Sequence, residues 1–187
     1  MVEKTLENKK IAMVIAFRDF RDAEYFTPKK ILEEAGAEIK TASNKMGLAI
    51  GTEGGDARID FLIKDLSVAE FDAIVFAGGS GCLGALDNED SYRVAKEAVS
   101  QNKVLAAICI SSVILAKAGV LKGKRATVWS SEADKQPIKI LIENEAIYIP
   151  RPVITDGKIV TAEGPAVAEE FGEKIIEVCW KDMIMSG

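Results

Sequence analysis

Val104-Leu-Ala-Ala-Ile-Cys-Ile-Ser-Ser112 is the stretch on which the reading of the fold turns. Its first five residues, Val104 to Ile108, are a continuous apolar run of strand length, the pattern of a strand buried on both faces of a parallel sheet. The run passes straight into Cys109 and a helical stretch from Ser111 to Ala118, which Gly119 ends. A buried strand feeding directly into a helix is the repeating unit of an α/β architecture.

The same unit recurs on the N-terminal side. Lys10 to Phe17 is a second apolar run, followed by a helix for which Asp22 is the expected N-cap and Gly36 the C-cap, with Glu24 in its first turn and Pro28 near its start or at a kink. Glu38 to Ser43 reads as a strand, and Gly47 to Asp60 as irregular or hairpin structure. Ser67 and Glu70 fit a capping box over one helical turn. Asp72 to Phe76 is a short strand running into Gly78-Gly79-Ser80-Gly81, and Glu89 to Gln101 is a periodic helix. Beyond the central stretch, Ala126–Trp129 and Ala146–Ile149 read as strands flanking an amphipathic segment, Asp134 to Glu143. Asp156-Gly157 joins Val153–Thr155 to Lys158–Thr161 as a hairpin, and Pro165 opens a final helix through Trp180. The expectation is one α/β domain over 10–181, a mostly parallel central sheet with helices on both faces, between a polar leader (1–9) and a short tail (182–187).

Composition narrows the chemistry. The 187 residues contain no histidine, which removes Ser-His-Asp and Cys-His catalytic pairs, histidine-ligated metal sites and imidazole pH switches. Cys82, Cys109 and Cys179 are widely spaced, with no C-x-x-C pair, and read as separate thiols; neither a metal nor a cofactor is expected. A net charge of −5 with no basic stripe argues against nucleic acid. No apolar run approaches the roughly 20 residues of a membrane span, and the start of the chain has no signal-peptide core, so a cytoplasmic location is expected.

In a parallel sheet, function gathers at the carboxyl ends of strands. Three features fall there: Glu24, the Gly78–Gly81 loop and Cys109. Cys109 stands where helix N–H groups favour a thiolate, although a buried packing thiol fits the position equally well. The glycines can present backbone donors or form a plain turn, and a first-turn glutamate can simply face the helix dipole. Cys82 reads as packing beneath the turn or as lying at the pocket mouth, Cys179 as core or interface, and Asp19 and Arg21 as loop charges that are either solvated or part of a pocket wall.

The ordered segments AEYFTP around Glu24, FDAIVFAGG ending at Gly79, VLAAICISSVILAKAGVLKGKRAT around Cys109 and VTAEGPAVAEEFG near the C-terminus resemble the ThiJ/PfpI superfamily. That group includes the parkinsonism-associated deglycase and intracellular protease I. The resemblance runs from about Lys10 to Trp180 and implies a flavodoxin-like three-layer sandwich with Cys109 as the reactive elbow cysteine. It further implies a protonated Glu24 donating to the sulfur, Gly79 and Ile110 amides as an oxyanion pocket, and Gly78, Ser80, Ser111, Trp129 and Ser130 around it. Self-association as a homodimer or larger oligomer is implied in the same way. The chain departs from the family where relatives carry histidine: Ile110 follows the cysteine, and Trp129 or Ser130 stands at the alternative position. Glu163 stands where relatives often have Ser-Arg before Gly-Pro.

The leading functional expectation is therefore glyoxalase- or deglycase-like action on a small reactive carbonyl, with Glu24 as the proton shuttle. The alternative is a non-catalytic oxidative-stress sensor or chaperone whose Cys109 reacts with an oxidant. Peptide or amide hydrolysis ranks below both, because expelling an amine calls for a proton donor.

Overall fold

The computed structural model describes residues 5–186. Seven strands form the central sheet: β1 Lys10–Val14, β2 Glu38–Ser43, β3 Phe61–Leu62, β4 Ala73–Phe76, β5 Val104–Ile108, β6 Val153–Asp156 and β7 Ile159–Ala162. Their spatial order is β6-β7-β5-β4-β1-β2-β3, parallel throughout except for the β6–β7 hairpin. This is a flavodoxin-like α/β fold. The chain leaves β1 toward β2 on one side and returns to β4 on the other, so a crevice opens between the carboxyl ends of β1 and β4, where such sheets carry their sites.

Alternation along the strands builds two cores. Ile11 and Met13 of β1 point to one face with Ala106 and Ile108 of β5, and are covered by helices α1 (Asp22–Glu34) and, at the other end of the chain, Ala168–Ser186. Ala12, Val14, Leu105 and Ala107 point to the opposite face. There they meet α2 (Cys82–Leu86), α3 (Glu89–Ser100), α4 (Ser112–Lys117) and α5 (Gln136–Glu143). The C-terminal helix Ala168–Ser186 is α6.

Several local expectations are revised. The first strand stops at Val14, although Ile15 and Ala16 stay buried as the chain bends toward α1. Arg21, not Asp22, is the N-cap of α1; the Asp22 carboxylate instead accepts the Glu53 and Gly55 N–H groups at 2.9 and 2.6 Å. Ala35 is the C-cap, with Gly36 one position beyond it, where the Gly36 and Ala37 N–H groups close the helix onto Glu33 and Leu32 carbonyls. Ser67 precedes a 3₁₀ turn, Val68–Glu70, without a side-chain cap. The Gly47–Asp60 region contains the hairpin Leu48–Gly51/Asp56–Arg58, with Arg18–Phe20 paired parallel to its first strand. Of the strands expected at Ala126–Trp129 and Ala146–Ile149, only the short pieces Arg125–Ala126 and Ile147–Tyr148 form, paired with each other. A 3₁₀ turn at Pro165–Val167 precedes α6, which extends to Ser186 rather than ending at Trp180. Of the leader, residues 1–4 lie outside the described residues, but Leu6 is fully buried and its N–H donates to Ala35 O at 2.6 Å. Of the tail, Gly187 lies outside them.

Candidate active site

The site is assembled from the ends of β1, β4 and β5. Cys109 follows β5 with φ +64°, the left-handed region that a non-glycine residue occupies only when its surroundings hold it there. The restraint comes from the next turn. Ser111 Oγ lies 2.7 Å from Ile108 O and 2.9 Å from Phe76 O, and accepts the Ile108 N–H at 3.1 Å, tying the end of β5 to the end of β4. The backbone thereby turns sharply and lifts the Cys109 side chain to the floor of a cavity of 430 Å³, leaving the residue 9% exposed.

Glu24 approaches from α1. It is 1% exposed, and its Oε2 accepts the Gly78 N–H at 2.9 Å. Oε1 is buried with no hydrogen bond of ordinary geometry, and the carboxyl interacts with the Cys109 thiol. Burial pushes the Glu24 carboxyl up to about 7, against smaller opposing pulls from the Cys109 thiol, the Gly78 amide and the Arg21 cation. Near neutrality it is therefore poised between acid and base. The Cys109 thiol is pushed well above the usual thiol range by burial and by the facing glutamate; the Ile110 N–H directed at the sulfur pulls the other way but is outweighed. The expected thiolate bias is thus overturned at this position: only a 3₁₀ turn, Cys109–Ser111, and the six residues of α4 follow the sulfur, and desolvation dominates.

The glycine loop makes this packing possible. A Cβ on Gly78 would lie 2.6 Å from Glu24 Oε2 and 2.8 Å from Cys109 Cβ. Gly79, at φ +115°, lets the loop pass under Arg21, where a Cβ would meet Arg21 N at 2.4 Å. The Arg21 N–H in turn donates to Gly78 O at 3.0 Å, which locks the start of α1 onto the loop.

Among the residues expected around the sulfur, Glu24, Gly79, Ser80, Ile110 and Trp129 line the cavity with Cys109. Gly78 lies beneath it and holds Glu24, and Ser111 is fully buried in the elbow itself, so neither forms its wall. Ser130 also falls outside the lining, because the chain turns away after Trp129, whose N–H donates to Cys109 O at 3.4 Å. Thr52, Leu83 and Pro165 line the cavity without having been expected there, and Arg21 proves to be part of its wall. Thr52 sits in a Gly-rich stretch with no periodic signal, and Pro165 carries the signal of a helix start, so nothing in the local sequence pointed to a pocket. No group of three or more histidine, cysteine or acidic side chains among the described residues is arranged to hold a metal ion. No helix among them is long and apolar enough to cross a membrane.

A doubly wound α/β sheet whose elbow cysteine faces a buried carboxyl defines a class of cysteine-centred flavodoxin-like proteins. Within it, the chain belongs to the DJ-1/PfpI family, whose model matches residues 9–178. It is 37% identical over 180 residues to an uncharacterised protein of Methanocaldococcus jannaschii, covering 96% of this chain and 86% of that one. It is 30% identical over 153 residues to Deglycase PfpI of Pyrococcus furiosus, covering 82% of this chain and 89% of the relative. The crystal structure of a ThiJ/PfpI domain protein from Brachyspira murdochii superposes with a TM-score of 0.86 at 33% identity, covering 92% of this chain and 96% of that one.

Proposed function

We propose that this chain is an enzyme acting on small reactive carbonyls of the 2-oxoaldehyde type, with Cys109 as nucleophile and Glu24 as proton shuttle. The observation that carries this reading is that the buried Glu24 carboxyl and Cys109 close on Gly78 from the same cavity, a Cβ there lying 2.6 Å from Glu24 Oε2 and 2.8 Å from Cys109 Cβ, and that burial pushes the carboxyl up to about 7. A glutamate of this kind substitutes for the histidine that the chain lacks. The cavity is small, and the deglycase relative from Pyrococcus furiosus supports carbonyl-adduct chemistry.

With methylglyoxal, the sulfur attacks the aldehyde carbon as the thiol proton passes through Glu24, and the carbonyl oxygen becomes the hydroxyl of a hemithioacetal. The Gly79 and Ile110 amides stabilise the developing oxyanion. Glu24, now ionised, removes the proton from the former aldehyde carbon, and the resulting enediol is reprotonated on the neighbouring carbon. The product is a lactoyl thioester, which water cleaves to lactate and the free thiol. The net change is methylglyoxal plus water to lactic acid: one carbon is oxidised as its neighbour is reduced, and no external electron carrier enters.

Turnover of methylglyoxal to lactate by the purified protein and by Cys109→Ser tests the reading. Wild-type turnover that the variant abolishes supports it; wild-type turnover no higher than that of the variant overturns it.

The missing histidine favours a second reading, in which Cys109 is oxidised by peroxide to the sulfenic and then the sulfinic acid, and protonated Glu24 donates to the oxidised sulfur. Both readings require the same pair of residues. They differ in whether the sulfur turns over.

A further inference from the structure

Arg21 is the sole cation among the described residues that line the Cys109 cavity. Its backbone is fixed, capping α1 and donating to Gly78 O, but its guanidinium is incompletely used. One terminal nitrogen, Nη1, pairs with Glu53 Oε1 at 3.2 Å, while Nε is buried without a hydrogen-bond partner. A buried donor left unsatisfied costs free energy that a suitably placed acceptor would recover.

Glu53 does not reach Arg21 on a loose loop. Its N–H donates to the Asp22 carboxylate at 2.9 Å, the Gly55 N–H donates to the same carboxylate at 2.6 Å, and the Thr52 N–H donates to Phe20 O at 2.9 Å. The loop therefore presents a carboxylate to Arg21 at the edge of the cavity, with Thr52 in the wall itself. Both side chains of the pair are near half-exposed, and such pairs are weak enough for an incoming carboxylate to compete with them. Both charges also act on Glu24, so the pair lies within electrostatic reach of the reacting centre.

We infer that Arg21 recognises a carboxylate on the substrate, with Glu53 occupying the guanidinium in the free protein. Resting on the carbonyl reading above, this narrows the substrate class to 2-oxoaldehydes that carry a carboxylate at the end remote from the aldehyde. A compound such as 4,5-dioxopentanoate has this form. The same sequence of steps at Cys109 would add water to it and yield 2-hydroxyglutarate, again without an external oxidant or reductant. Arg21 acts here as a specificity-determining residue through a planar fork matched to carboxylate geometry.

The test compares the rates at which Cys109 is alkylated by iodoacetate and by iodoacetamide, read by intact mass and peptide mapping. In both reactions a sulfur–carbon bond forms, iodide leaves and the thiol proton is lost, so the requirement for thiolate cancels in the ratio of rates. The ratio for Cys109 is expected to exceed that of a small free thiol in the same buffer by about tenfold, and to shrink as salt is added. Arg21→Gln should return it to the free-thiol value, and Glu53→Gln should raise it about threefold by releasing the guanidinium. A wild-type ratio equal to that of the free thiol, or one that Arg21→Gln leaves unchanged, overturns the inference. A purely structural role for Arg21 would slow both reagents alike and leave the ratio where it was. Alkylation does not depend on turnover. A protein inert toward both methylglyoxal and 4,5-dioxopentanoate but with a raised, Arg21-dependent ratio would therefore sink the carbonyl reading and leave carboxylate recognition standing.

Discussion

Cys109 and Cys82 follow adjacent strands, Cys109 directly after β5 and Cys82 after the glycine loop that leaves β4; each starts a helical segment, and burial pushes each thiol far above its usual range. Yet they serve opposite faces of the sheet. Cys82, the first residue of α2, is 0% exposed in the core on one face, with its sulfur 3.6 Å from Ala77 O. Cys109 belongs to the other face, where the backbone is forced to φ +64° and the side chain meets a cavity and a buried acid. The difference shows that neither a low thiol pKa nor a helix start singles out the candidate nucleophile here. What distinguishes it is access combined with a proton partner.

That contrast is most directly broken by alkylation. Cys109 should react with iodoacetamide near neutral pH on the order of 10³-fold faster than Cys82, because Cys82 must wait for local opening of its core. Peptide mapping that finds comparable rates would erase the distinction between the two sites. A further large effect is expected at the proton partner. Glu24→Gln keeps the shape and the buried contact but removes the titrating proton, and should lower methylglyoxal turnover by about 10²-fold or more. Turnover within a few-fold of wild type would show that the sulfur works without it.

The same residue shapes stability against pH. Its folded-state value of about 7 lies above the ordinary 4.5, so the folded protein holds this proton more tightly than the unfolded chain. The stabilisation is complete below pH 4.5, is lost as pH rises from 4.5 to 7, and amounts to about 3 kcal/mol. Denaturant unfolding of wild type and Glu24→Gln across that window should show the decline in wild type and its loss in the variant; parallel curves would place the proton elsewhere. Gly78→Ala sharpens the comparison from the loop side. Its Cβ would press on both Glu24 and Cys109, and should destabilise the fold by about 1–3 kcal/mol and impair turnover together. The smallest effect belongs to the other thiol: Cys82→Ala should cost about 1 kcal/mol by leaving a small cavity and keep turnover within about twofold.

Much of this site was legible along the chain because strand ends are local features. Val104–Ile108 announces itself as a buried strand, so a residue directly after it must lie at the sheet's carboxyl edge; Glu24 and the Gly78–Gly81 loop follow by the same reasoning. What was illegible depended on side-chain direction. The family resemblance places Ser111 around the pocket, but the sharp turn at Cys109 rotates its hydroxyl inward to fasten β5 to β4. Ser130 was lost for a similar reason, since the strand expected to run through Trp129 ends at Ala126 and the chain departs. Arg21 carried no signal beyond its charge. Its place in the wall depends on a loop some thirty residues away, fastened by Asp22.

The amino-acid sequence by itself determined the alternation of buried strands and helices, the absence of imidazole and the order of the motifs, because each follows from residue type and short-range periodicity. The tertiary structure alone decided how deeply Glu24 and Cys109, 85 residues apart, are buried at one cavity, and that this burial rather than the helix start governs the thiol. The physical reason is that a pKa and an accessible surface belong to a three-dimensional environment. Burial and facing charges are set by which segments the sheet brings together, and no local pattern in the chain encodes them.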